Sequence, residues 1–101
     1  MDRRLELQAI LEGILGNGHV YFQPPPNIQL AYPCIIYKLD DYSVNFANDA
    51  PYMINRKYTI TLIDRDPDSE IREKMLFIKY CSMTQAYTAD NLNHWVYDLY
   101  Y

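Results

Sequence analysis

The sequence predicts one α+β domain: a mainly antiparallel sheet of four to five strands, two helices packed on one face of it, and an extended β-hairpin. Three observations predict it. An apolar stripe at helical spacing runs from Leu7 to Leu15, and Gly16-Asn17-Gly18 stands behind it as a stop. Residues alternate with the two-residue period of strands from Lys57 to Leu62 and again from His94 to Tyr101. Between these stretches, Asp66-Pro67-Asp68-Ser69-Glu70 carries the start signals of a second helix.

Taken in order, Leu7, Ile10, Leu11, Ile14 and Leu15 fall at i, i+3, i+4, i+7 and i+8, while Arg4, Glu6, Gln8 and Glu12 lie mostly off that stripe. Asp2 can cap the start, and a left-handed residue in the Gly-Asn-Gly run can end the helix. His19 to Gln23 reads as a short strand. Pro24-Pro25-Pro26 follows as a rigid connector, since no basic residue flanks it to orient an SH3-type ligand. Cys34 to Tyr42 is a strand rich in Ile and Tyr, entered through Pro33. Phe46 to Pro51 reads as a hairpin loop and Tyr52 to Asp64 as a second, longer strand. In that strand Tyr58, Ile60 and Leu62 share one face, and Lys57, Thr59 and Thr61 the other.

Asp66 is the expected N-cap of the second helix and Pro67 its first residue. Ile71, Met75 and Ile78 form its apolar stripe, with Lys74 and Lys79 near the far end. Cys81 to Ala89 and Asn91 to Tyr101 form a last hairpin around Asp90. Trp95, Tyr97, Leu99 and Tyr101 point one way, and His94, Val96, Asp98 and Tyr100 the other. No internal repeat or linker interrupts the chain, so residues 1–101 read as a single domain.

Composition excludes several classes of function. Half of the 101 residues are hydrophobic and 22% are charged, a globular balance. No apolar run approaches the roughly 18–20 residues of a membrane span, and Glu6 and Gln8 break any signal-peptide core near the start. The net charge is −4 and the basic clusters are only Arg3-Arg4 and Arg56-Lys57, which argues against tight nucleic-acid binding. Cys34 and Cys81 form no C-x-x-C pair, so they are expected as reduced, buried thiols. Tyrosine stands out at 11 residues, filling a small core or lining an interface.

No chemistry is expected. Asp64, Asp66 and Asp68 occupy positions 1, 3 and 5 of a calcium loop, but Ser69 stands where the turn glycine should be and Met75 where the bidentate glutamate should be. Adding calcium is therefore expected to leave the melting temperature unchanged; a stabilisation that grows with calcium concentration overturns this. His19 and His94 are the only histidines, and Cys34 or Cys81 with His94 is the one conceivable nucleophile–base pair, unsupported by any local motif. Gly13, Gly16 and Gly18 cannot build a phosphate loop. The expectation is a non-enzyme without cofactor, metal or catalytic residues.

Three blocks carry a family resemblance: Tyr32-Pro33-Cys34-Ile35-Ile36-Tyr37 ahead of Leu39-Asp40-Asp41, the stretch from Lys57 to Ser69, and Tyr87-Thr88-Ala89-Asp90-Asn91-Leu92-Asn93-His94. In these the chain resembles the tail-terminator and minor capsid (neck, head–tail joining) proteins of long-tailed bacteriophages. The resemblance implies a structural virion protein, made in the bacterial cytoplasm. It implies a homo-oligomeric ring, commonly a hexamer, that ends the tail tube and joins it to the head connector or closure protein. It also implies an extended hairpin used in assembly, and it brings no catalytic residue. Genomic DNA would pass such a ring without specific binding. The alternatives are another neck ring, such as a head-closure protein, and a cytosolic Tyr-rich adaptor module.

The expected interface residues are Tyr42, Phe46, Tyr52 and Met53 on the hairpin, because aromatic residues and Met are enriched at interfaces. Arg56, Trp95, Tyr97 and Tyr101 complete the set.

Overall fold

The computed structural model describes residues 3–47 and 50–101, with the backbone alone at residue 3 and along 42–47 and 50–55. The elements are α1 (Arg3–Leu15), β1 (Val20–Phe22), β2 (Cys34–Ala47), β3 (Ala50–Asp64), α2 (Ile71–Lys74) with a 3-10 turn (Met75–Phe77), β4 (Cys81–Ala89) and β5 (Leu92–Tyr100). The fold is α+β, with a five-stranded sheet in the order β1-β2-β3-β5-β4. Only β1 and β2 run parallel; the other pairs are antiparallel.

Cross-strand register explains the core. Ile35, Leu62 and Trp95 lie in one row, Tyr37, Ile60 and Tyr97 in the next, and Leu39, Tyr58 and Leu99 in a third. These side chains share one sheet face, and all but the partly buried Leu39 are buried. Burying such apolar area is the main stabilising term, at roughly 25 cal/mol per Å². Leu7, Leu11 and Leu15 of α1 and Met75 close the core from above. Two tyrosine hydroxyls show that both helices use this face. Tyr37 donates to Gln8 Oε1 of α1 at 2.5 Å, and Tyr97 donates to the Arg72 carbonyl of α2 at 2.7 Å. Gln8 Nε2 in turn donates to Glu12 Oε1 at 2.9 Å and to the Val20 carbonyl at 3.0 Å, so the buried polar ends are satisfied.

The ends of α1 and of the last hairpin follow their local signals. Gly16 adopts φ 84°, the left-handed conformation glycine takes most cheaply, and its N–H donates to the Glu12 carbonyl at 2.9 Å. Asp90 and Asn91 join β4 to β5 with φ 54° and 63°, the two left-handed residues of a tight hairpin turn. Asn93 Nδ2 then donates to the carbonyls of Asp64 and Arg65, both at 3.3 Å, and ties β5 to the end of β3.

The second helix differs from expectation. It starts at Ile71, with Glu70 at the cap position and no side-chain cap bond, so Asp66 is not its N-cap. The carboxylates fold back on the chain instead. Asp64 Oδ1 accepts from Asp66 N at 3.1 Å, and Asp66 Oδ1 accepts from Asp68 N at 2.9 Å. Such Asx turns compete with a helix start, and here they hold the backbone in a bend. Asp66→Ala is expected to cost about 0.5–1.5 kcal/mol, as for an exposed hydrogen bond, and Asp64→Ala about 1–3 kcal/mol because Asp64 is buried. Denaturant midpoints check this; equal effects would show that burial of Asp64 contributes nothing.

The β2–β3 hairpin also exceeds expectation. The strands continue to Ala47 and from Ala50, where the sequence suggests a loop over 46–51. Beyond Asp41 and Lys57 neither strand has another strand beside it among the described residues: β1 pairs only with residues 35–37 of β2, and β5 only with residues 57–64 of β3. A two-stranded arm therefore leaves the sheet, and the molecule measures 51 × 23 × 23 Å. Its root is fixed. The Tyr101 N–H donates to the Arg56 carbonyl at 2.9 Å, and the β2–β3 register shifts between Leu39 and Asp41, a bulge of the kind that sharpens twist. Lys57 bridges Asp40 at 3.4 Å and Asp98 at 3.8 Å across three strands. The Asp40 carboxylate, then Asp98, holds the ammonium above its usual pKa.

Candidate protein-docking surface

The expected interface residues divide in the structure. The side chains of Tyr42, Phe46, Tyr52 and Met53 lie outside the described residues, though their backbone belongs to the arm. Arg56 is half-buried at the arm root, and Tyr101 packs at the edge of the core with its hydroxyl 3.4 Å from Glu6 Oε2. Trp95 and Tyr97 correct the expectation, being 7% and 0% exposed. The alternation that aligns them with Leu99 aims them under the helices, so they serve the core of their own chain.

The exposed apolar surface lies elsewhere, along one edge. Among the described residues the large exposed hydrophobics include Leu76, Phe77, Tyr80, Met83 and Tyr87, all close together in sequence. Phe77 is 88% exposed and Tyr80 68%. The 3-10 turn is the cause. Its three-residue period keeps Met75 and Ile78 over the core and rotates Leu76 and Phe77 outward. Tyr80 then takes φ 64°, a left-handed conformation unfavourable for a bulky residue, and its carbonyl accepts from Tyr100 N at 3.2 Å. A groove of about 500 Å³ opens here between Ile10, Ile14, Phe77, Tyr80 and Tyr100, with Lys74 and Lys79 but no acidic side chain on its lining. The sequence signal was the run Met75-Leu76-Phe77-Ile78: one helix face cannot bury four consecutive apolar residues.

β4 continues from this patch as an edge strand. It pairs only with β5, and its residues from Ser82 to Thr88 are all exposed. Its sequence, CSMTQAYTA, contains no charge and no proline. Natural sheets usually protect such edges with Lys, Pro or short strands. A register shift between Met83 and Gln85 is its one irregularity.

A second groove, about 650 Å³, lies on the face away from the helices, where Pro24, Pro25, Pro26, Ile28 and Leu30 meet Ile36, Lys38, Thr59 and Thr61. The proline connector thus shields part of that face.

Neither cysteine is set against His94 as nucleophile and base. Cys81 pairs with Leu99, while His94 pairs with Tyr87 and stacks on its ring at 4.7 Å. Cys34 and His94 stand on either side of Ile63, two strand spacings or about 10 Å apart. Burial first, then the Asp64 carboxylate, pushes the Cys34 thiol up to about 11; burial and then Asp98 do the same for Cys81. At pH 8 a thiol of pKa about 11 is roughly 0.1% thiolate, so alkylation is expected roughly 100-fold slower than for a free cysteine. Because both thiols titrate higher when folded, their contribution to stability is complete below about pH 9 and is lost as pH rises through about 11. Rapid labelling at pH 8 would overturn this reading. Among the described residues no cluster of His, Cys, Asp and Glu is arranged to hold a metal, and no helix is long and apolar enough to cross a membrane.

The fold and these surfaces define a small α+β domain with a projecting arm and an open sheet edge. Comparison with known protein families, curated proteins and solved structures finds no match.

Proposed function

We propose that the protein is a structural subunit of a bacteriophage neck, forming a hexameric ring that ends the tail tube and joins it to the head connector. The observation that carries the reading is the arm: a ribbon that, among the described residues, is strand-paired only with itself beyond Tyr42 and Arg56. An isolated two-stranded hairpin is marginal in water, so an arm of this length gains its support from another molecule. The three sequence blocks resembling neck proteins supply the class of assembly. A net charge of −4 suits a ring that DNA traverses without sticking.

The test is the mass of the purified chain in solution, alone and with tail tubes. The expected result is a species six times the 12.0 kDa chain, formed alone or on the tubes. A protein that stays monomeric at about 100 μM and leaves tubes unbound overturns the reading.

A further inference from the structure

We infer that the β4 edge, with the adjoining Phe77–Tyr80 patch, receives the β2–β3 arm of a second copy, extending the sheet from one subunit into the next. The inference deepens the ring reading by naming the contact. Three features of the chain support it. β4 offers unpaired backbone donors and acceptors along nine residues, with no charge to repel a strand. The arm offers the complementary half. Among the described residues, 42–47 and 50–55 are strand-paired on one side only, so each arm strand has an open edge. Main-chain pairing of this kind supplies affinity without side-chain specificity.

The charges also match. Lys74 and Lys79 line the groove beside the patch, whereas the arm from Tyr42 to Asn55 carries Asp49 as its only charge, the acids Asp40 and Asp41 at its root being matched there by Arg56 and Lys57. A second copy is thus favoured over an acidic surface approaching the arm or a basic one approaching the groove. Donor and acceptor are different parts of the chain, so the contact is heterologous, the type that builds a ring when its rotation closes and a filament when it does not.

The test uses two full-chain variants. In the first, Val44–Ile54 is replaced by Asn-Gly; Ser43 and Asn55 are partners, so the turn preserves register and only the acceptor remains. In the second, Met83→Glu with Gln85→Glu places charge on the exposed edge and leaves only the donor. Each alone is expected to be monomeric, with self-association weakened roughly 100-fold or more. Mixed in equal amounts, they should form a one-to-one heterodimer. A mixture that stays monomeric, an edge variant that still forms rings, or an arm-less chain that still dimerises through β4 overturns the inference. Amide exchange on the wild-type chain provides a measurement that needs no variant. On assembly, β4 and one arm strand should gain protection together; protection of either without the other is an overturning result. A wild type that assembles while the mixture fails removes this contact and leaves the ring reading standing. A wild type that never assembles removes both.

Discussion

The chain with Val44–Ile54 replaced by Asn-Gly is expected to fold as well as the wild type and to lose ring formation. Among the described residues every buried core side chain lies in the range 7–37 or 58–99, and the deletion leaves all of them in place. The arm root keeps its ties: Tyr101 N still donates to the Arg56 carbonyl, and Lys57 still bridges Asp40 and Asp98. Shortening the connection also reduces the chain entropy lost on closing the hairpin, so the stability change should stay within about 1 kcal/mol. Thermal unfolding and solution mass check the two halves separately. A chain that fails to fold would mean that the arm belongs to the core; one that assembles at wild-type concentration would mean that the arm has no part in the ring.

Tyr97→Ala is expected to have the largest effect on stability. Tyr97 is 0% exposed, lies between Ile60 and Met83 in the sheet, and donates to the Arg72 carbonyl at 2.7 Å. Truncating a buried aromatic costs about 3–5 kcal/mol, a large share of the roughly 5–15 kcal/mol that stabilises a domain. For about 100 residues that is a fall in melting temperature on the order of 15 °C or more. Tyr97→Phe keeps the ring and removes only the bond that anchors α2, so it should cost about 0.5–1.5 kcal/mol. Near-equal losses in the two variants would assign the effect to the hydroxyl. Burial pushes the Tyr97 hydroxyl up to about 12, so in the folded protein it should ionise only in strong alkali, above the ordinary tyrosine value of 10.0. The stability linked to it is complete below pH 10 and is lost as pH rises through about 12.

Where one periodicity dominated, the sequence was enough. Tyr58, Ile60 and Leu62 alternate cleanly and are buried, and the turn around Asp90 was marked by its residues, although Asn91 belongs to the turn and not to the strand. Capping at Asp66 was misread because aspartate serves Asx turns and helix caps with the same short carboxylate, and only the backbone beyond it decides between them. The arm was underestimated because its pairing is made by the backbone, and mixed side chains do not announce it. Trp95 and Tyr97 were assigned to an interface on residue type alone; which face of β5 meets the helices is set by register with β3, a non-local property. The exposed Phe77 depended on a switch from α-helical to 3-10 winding that no single residue signals.

The strand order has a consequence for synthesis. β5, made after all the other strands, lies between β3 and β4. As the chain leaves the ribosome, β1, β2 and β3 can already pair, but β4 emerges with nothing to join. Until Leu92–Tyr100 arrives, Ile60 and Leu62 lack Tyr97 and Trp95 beside them, and the half-finished sheet shows part of its apolar interior to water. Between Asp64 and Tyr100, translation at roughly 5–20 residues per second makes that interval about 2–7 seconds long. Chaperones have their clearest opportunity to act on this protein in that interval, and codon choice across residues 65–100 bears on how long it lasts.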